Sequence, residues 1–225
     1  MPFAMSARRQ PPPQMRLPLQ ADRPAQADDF VVSDSNRAAV DRLAVWPDGI
    51  TPVLALGGPP GSGKSRLAAL WAERVGAVAL NGSEAALIDP LELEGRPVLL
   101  DRAPDADDET LFHLFNLARA PGGALLLVAP IAPQGWDRAL PDLRSRLDAT
   151  PVVTIAAPDD AVLAAMLRAR FAERSITPSD ELIAYLLRRI DRSAQAAADV
   201  VERLSADPRP ATRATAREVL EIGTL

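Results

Sequence analysis

The sequence has no cysteine, which excludes a disulfide framework, a thiolate metal site and a cysteine nucleophile. Histidine is nearly as scarce: the single one is His113, which argues against a His-based zinc site and against a Ser-His-Asp triad. No apolar run reaches the roughly 18 residues that a membrane-spanning helix needs. The N-terminal arginines are not followed by the apolar core of a secretory signal, so the expected compartment is the cytoplasm. A basic surplus is also missing, because 30 acidic residues stand against 25 basic ones for a net charge of -5. A dedicated DNA-binding domain usually shows a basic face, and this chain as a whole does not. Lysine is the last scarcity. All but one of the basic residues are arginine, a bias that with abundant alanine fits a GC-rich coding sequence, and the exception is Lys64.

What is present is an ordinary globular composition. The chain has 225 residues, 48% apolar and 24% charged, which is room for one large domain or two small ones. Residues 1–29 carry Pro11, Pro12, Pro13, Pro18 and Pro24 without sustained periodicity and read as an extended tail. Ser33 or Asp34 could cap a helix through Ala38, Val40, Leu43 and Trp46, stopped by Pro47 and Gly49. Short apolar runs then alternate with helical stretches. Val53–Leu56, Ala77–Leu80, Val98–Leu100, Ala124–Ala129 and Val152–Ile155 read as strands, with helices over Lys64–Arg74 and Glu109–Arg119. Continuously apolar strands that alternate with helices predict a parallel sheet covered on both faces. After Pro158 the strand signal vanishes. Helices are predicted over 159–174, 179–190, 193–206 and 212–222, with Asp159, Ser179, Ser193 and Thr212 as caps. The expected organisation is a tail (1–29), an α/β domain (30–157) and an all-helical domain (158–225).

Gly58-Pro59-Pro60-Gly61-Ser62-Gly63-Lys64-Ser65 fits G-x-x-x-x-G-K-[ST] without a gap, between a predicted strand and a predicted helix. The glycines let backbone N–H groups turn inward around phosphates, and the helix that begins near Lys64 adds its dipole. Lys64 would place a point charge on the β/γ-phosphates, and Ser65 would offer a hydroxyl to Mg²⁺. Asp101 closes the run Val98-Leu99-Leu100, where a P-loop sheet offers a carboxylate to Mg²⁺ or its water; the plainer alternative is a strand-end Asp capping the next loop. The following residue is Arg102, where an active ATPase of this architecture usually has a second acid. Arg144 and Arg146, just before the fifth strand, suit fingers that reach a neighbouring subunit's γ-phosphate, or else make a solvated basic turn. In the tail, Gln14, Leu17, Pro18 and Leu19 suit groove docking, with the amide on backbone and the leucines in a pocket; a disordered tail is the alternative. His113 reads as a half-buried structural residue.

Together these residues resemble the AAA+ domain of the bacterial replication initiator DnaA, and more closely the Hda-type short relatives of DnaA that inactivate the initiator. The segment Leu140–Leu147 and the pair Asp191-Arg192 belong to the resemblance, which covers about residues 29–222. The fold it implies is an AAA+ P-loop NTPase: a three-layer α/β domain with a parallel sheet, followed by a small helical lid. It implies ADP or ATP at Gly58–Ser65, with Mg²⁺ on Ser65 and Asp101. It implies a Q-x-x-L-P-L contact from Gln14, Leu17, Pro18 and Leu19 to the DNA polymerase sliding clamp. In its S-R-[FL] setting, Arg146 matches the family's arginine finger, whereas Arg144 has no equivalent role. Three departures accompany the match. Arg102 stands at or beside the second acid, Val128-Ala129-Pro130 replaces a polar sensor, and Gln195 takes the place of a sensor arginine.

The function so implied is a negative regulator of replication initiation. It would bind the DNA-loaded clamp and adenine nucleotide and stimulate ATP hydrolysis by DnaA, with little turnover of its own. No sequence-specific DNA binding and no membrane contact are expected, and a homo-oligomer is allowed. The alternative is a self-sufficient AAA+ ATPase of the helicase-loader kind. A small-molecule P-loop kinase fits less well, because the C-terminal part is all-helical.

Overall fold

The computed structural model describes residues 30–222. Five strands, β1 (Val53–Gly57), β2 (Val78–Asn81), β3 (Pro97–Asp101), β4 (Ala124–Val128) and β5 (Val152–Thr154), form one sheet. Their order is β2-β3-β4-β1-β5, and every pairing is parallel. β1 and β4 are buried along their whole length, whereas the edge strands β2 and β5 are partly exposed.

The continuous apolar runs have a direct cause. Successive side chains alternate between two faces, and each face has its own core. Val53, Ala55, Val98, Leu100, Leu125 and Leu127 pack on one side with Leu111, Phe115, Leu143 and Leu147. Those partners come from α3 (Asp108–Leu117) and α4 (Pro141–Asp148). Leu54, Leu56, Leu99, Leu126 and Val128 pack on the other side with Leu43, Trp46, Leu67 and Trp71, from α1 (Arg37–Val45), its C-cap, and α2 (Lys64–Val75). The Trp46 and Trp71 rings stack at 5.0 Å. Each fully buried leucine contributes about 1.5–3 kcal/mol by burial, so a polar residue on either face of β1 or β4 would forfeit that on a fully covered sheet.

The helices α5 (Asp160–Glu173), α6 (Asp180–Leu186), α7 (Ala194–Ala206) and α8 (Arg213–Ile222) enclose a third core around Leu167, Phe171, Leu182, Leu186, Val200 and Leu204. All four expected caps sit where the sequence places them. The side chains of Asp159, Ser179, Ser193 and Thr212 each accept a hydrogen bond from the N–H three residues on. The Val162 N–H first, and then the nearby Ser33 hydroxyl, hold the Asp159 carboxyl below the usual carboxylate range. A carboxylate whose pKa falls on folding stabilises above its unfolded pKa, and loses that contribution as pH falls through the folded value. Asp159→Ala should therefore cost about 1 kcal/mol in urea denaturation at pH 7, with the deficit shrinking at acidic pH.

Four elements differ from expectation. α6 ends at Leu186, four residues short of the expected 190, where the chain turns and the Arg189 N–H donates to the Leu186 carbonyl. α1 starts at Arg37 rather than after Ser33 or Asp34, because residues 33–36 form a turn first: the Ser33 carbonyl accepts from Asn36 and Arg37, and the Asn36 side chain accepts from the Ser33 N–H. β2 runs one residue later than Ala77–Leu80, since the Ala77 N–H is taken by the Ala72 carbonyl at the end of α2. α4 has no counterpart in the sequence reading. Pro141 opens it, and Leu143 and Leu147 bury one face, a signal of proline at the first helical position plus an i, i+4 leucine pair.

Candidate functional site: the loop between β1 and α2

β1 ends at Gly57 and α2 begins at Lys64, so Gly58–Gly63 form the connection. Gly58, Gly61 and Gly63 have φ of 146, 72 and 94°, in the region that side chains with a Cβ rarely adopt. Space excludes a Cβ at two of them as well. At Gly58 it would stand 2.2 Å from the Ile155 carbonyl oxygen, and at Gly61 2.9 Å from the Ala194 nitrogen. The Gly61 carbonyl accepts a hydrogen bond from the Ala194 N–H at 3.1 Å, so the loop lies directly against the first turn of α7. The Phe30 ring edge borders the same loop, 3.9 Å from where a Cβ of Gly63 would lie.

Lys64 is buried, and its Nζ donates to the Pro59 carbonyl at 2.7 Å. The ammonium thus rests on the loop's own backbone. Burial holds its pKa below the usual lysine value, and the Asp101 charge offsets only part of that, so the two groups the sequence assigned to phosphate and metal share one electrostatic environment. Ser62 Oγ is buried without a hydrogen-bond partner. A buried unpaired hydroxyl costs about 1–3 kcal/mol, which an incoming acceptor would recover. Ser65 is exposed, at the start of a helix whose first N–H groups have no intrahelical partner. The loop therefore fits an anionic phosphate group: an unpaired hydroxyl, a cation on a weak neutral acceptor, and N–H groups at a helix start.

Asp101 ends β3 at the same edge of the sheet, half-buried, with Oδ1 accepting the Arg102 N–H at 2.8 Å. Among the described residues no cluster of three metal-ligating side chains occurs. Mg²⁺ at a phosphate site takes few protein ligands and the phosphates themselves, so the hydroxyl of Ser65 and the carboxylate of Asp101 are of the oxygen chemistry that such an ion would take. Arg102 has φ 52° and its guanidinium pairs with Asp105 at 2.7 Å. Ala129 is buried, and its N–H donates to the Leu56 carbonyl. Gln195 Nε2 donates to Asp199 one turn further along α7, at 2.6 Å.

Arg146 is not a loose arginine. Its Nη1 donates to Asn116 Oδ1 at 2.7 Å, its Nη2 pairs with Asp142 at 3.1 Å, and its guanidinium lies 4.4 Å from the centre of the Phe112 ring. The side chain is 16% exposed. Arg144, two residues earlier, is exposed. His113 lies on the same helix as Phe112, half exposed at 54%, and 3.8 Å from Glu109. Gln14, Leu17, Pro18 and Leu19 lie outside the described residues.

Several residues at the site escaped sequence reasoning. Phe30 and the Ser193–Ala194 turn reach the loop from positions outside the Gly58–Ser65 motif. Arg192, read only as a family mark, donates to Asp160 at 2.7 Å and to the Pro158 carbonyl at 3.3 Å, tying the start of α7 to the start of α5.

No protein-family model and no curated protein sequence matches the chain. Solved structures do. Domain III of the Thermotoga maritima replication initiation protein DnaA superposes with a TM-score of 0.70 at 18% identity, over 87% of this chain and 95% of that one. The AMPPCP-bound DnaA of Aquifex aeolicus gives a TM-score of 0.63 at 18% identity, over 82% of this chain and 65% of the other. A variant of Thermotoga maritima RuvB gives 0.64 at 14%, over 89% and 72%. The chain has the AAA+ α/β fold of DnaA domain III and RuvB, with a five-stranded parallel sheet between two helical layers.

Proposed function

We propose that residues 30–157 bind adenine nucleotide, that residues 158–225 are the lid over it, and that the chain is an Hda-type regulator of the initiator DnaA. The observation that carries this reading is a glycine-built loop with a buried lysine and an unpaired buried hydroxyl, beside positions 102, 129 and 195 that are paired elsewhere or apolar. Lys64, Ser62 and the three left-handed glycines are in place, while Arg102 is paired with Asp105, Gln195 with Asp199, and Ala129 offers no polar atom beyond its backbone. Such a site holds nucleotide and turns it over slowly. The AMPPCP in two of the similar DnaA structures supports adenine nucleotide as the ligand, and bound Mg²⁺, held by Ser65 and Asp101, would neutralise phosphate charge.

Arg146 is then the group that acts outward. Asn116 and Phe112 hold its guanidinium in place before any partner arrives, so little side-chain entropy remains to be lost on docking. The γ-phosphate of ATP held by DnaA would take over from Asp142, an exposed partner. Gln14, Leu17, Pro18 and Leu19 dock on the DNA-loaded sliding clamp and bring the two AAA+ proteins together.

The deciding experiment is hydrolysis of DnaA-bound ATP with and without this protein and DNA-loaded clamp. Stimulation that needs both supports the regulator. Basal turnover of several per second by the purified chain alone, abolished by Lys64→Ala, would establish the self-sufficient ATPase instead. Clamp capture should reside in the tail: alanine at Gln14, Leu17 and Leu19 together should abolish clamp binding in surface plasmon resonance and leave the melting temperature unchanged. Unchanged clamp affinity in that triple variant would refute the tail assignment.

A further inference from the structure

Arg138 lies between β4 and α4, away from every sequence motif, yet its side chain is only 8% exposed. Its guanidinium donates to the Pro104 carbonyl at 2.8 Å and the Ala106 carbonyl at 2.7 Å, and reaches Asp108 Oδ1 at 3.3 Å. The Trp136 ring covers it at 5.6 Å. Nε is buried without a partner, a cost that a merely decorative arginine would escape by moving into water.

Two of the acceptors belong to the segment that follows Asp101 directly, where Ala103–Asp105 form a single 3-10 turn. The third, Asp108, also accepts the N–H groups of Ala139 and Leu140 with its other oxygen, at 2.9 and 3.1 Å. Leu140 is the N-cap of α4. Asp108 begins α3, and one and two turns later α3 presents Phe112 and Asn116 to Arg146. The link from Asp101 to Arg146 is therefore continuous: the turn after β3, the Arg138–Asp108 pair, and the α3–α4 unit. Charge-assisted bonds to three acceptors in a dry setting hold such a joint more firmly than neutral loop contacts would.

We propose that Arg138 is a positioning residue that makes the segment after Asp101 and the α3–α4 unit carrying Arg146 move as one body, so that the occupancy of this chain's own phosphate cradle is felt at Arg146. The inference rests on the nucleotide-binding reading above. A planar guanidinium reaches two carbonyls and a carboxylate at once, which an apolar side chain of similar length cannot do.

Fluorine NMR of the full chain labelled with 4-fluorophenylalanine tests it, using Phe30 beside the cradle and Phe112 under Arg146 as two reporters. MgADP should shift both resonances in the wild type. In Arg138→Met the Phe30 shift should persist, with ADP affinity within about threefold of wild type, while the Phe112 shift is lost. Asp108→Asn, which keeps its size and weakens the same joint, should diminish the Phe112 shift, and it carries the test if Arg138→Met does not fold. A wild-type Phe30 shift without a Phe112 shift would overturn the coupling and leave nucleotide binding standing. Equal Phe112 shifts in wild type and both variants would overturn the role of Arg138. No shift of either resonance would overturn the nucleotide reading, and the coupling with it.

Discussion

Replacing Arg146 with alanine should eliminate stimulation of ATP hydrolysis by DnaA while leaving ADP binding and clamp binding intact. An arginine supplied in trans to a γ-phosphate accelerates well-studied GTPases by about 10³–10⁵, which corresponds to roughly 4–7 kcal/mol of barrier. The structural losses are far smaller. Asn116 and Asp142 are at the surface, and an exposed ion pair with a cation–π contact is worth about 1–2 kcal/mol together, so the variant should fold and melt only slightly early. That separation of scales makes the result interpretable, because a drop of several decades cannot come from loosening α4. Normal stimulation by the variant would return Arg146 to the role of a helix-surface tie between α4 and α3. Arg144, exposed on the same helix, would then be the arginine to substitute.

Lys64→Ala should weaken ADP binding by about 10- to 150-fold in titration calorimetry, the equivalent of one charge-assisted contact of roughly 1.5–3 kcal/mol. The lower half of that range is favoured, because Nζ must first leave the Pro59 carbonyl that it holds at 2.7 Å. Folding should suffer little. The alanine removes a buried ammonium together with its bond to the Pro59 carbonyl, and the β1–α2 connection is set by Gly58 and Gly61 rather than by the lysine. A wild-type titration without heat of ADP binding would remove the basis for the cradle altogether. Basal ATPase that survives in Lys64→Ala would place turnover at some other site.

The parallel sheet, the P-loop and the four caps of α5–α8 are legible in the sequence because each depends on residues close in the chain. A strand buried on both faces leaves an unbroken apolar run, as in Ala124–Val128, and a cap needs only its own side chain and an N–H three residues away. α4 is not among the helices read from the sequence: Pro141 and the Leu143/Leu147 spacing are its only signals, and its polar residues hide the pattern. The start of α1 is not legible in the sequence, because Ser33 and Asn36 exchange hydrogen bonds in a turn whose composition equals that of a cap.

The sequence by itself determined the chemistry that the loop can offer: one lysine, glycines at Gly58, Gly61 and Gly63, and no acid, polar sensor or arginine at Arg102, Ala129 and Gln195. Tertiary structure alone decided how those parts are held. That Gly61 meets the N-terminus of α7, that Phe30 borders Gly63, that Lys64 rests on Pro59, and that Arg138 ties the turn after Asp101 to the start of α4 all join residues far apart in the chain or facing inward across a loop. The reason is physical. A local pattern fixes which way a side chain faces relative to its own element, whereas the partner it meets depends on how β3, α3, α4 and α7 pack, and packing is set by the three apolar cores together rather than by any single stretch of sequence.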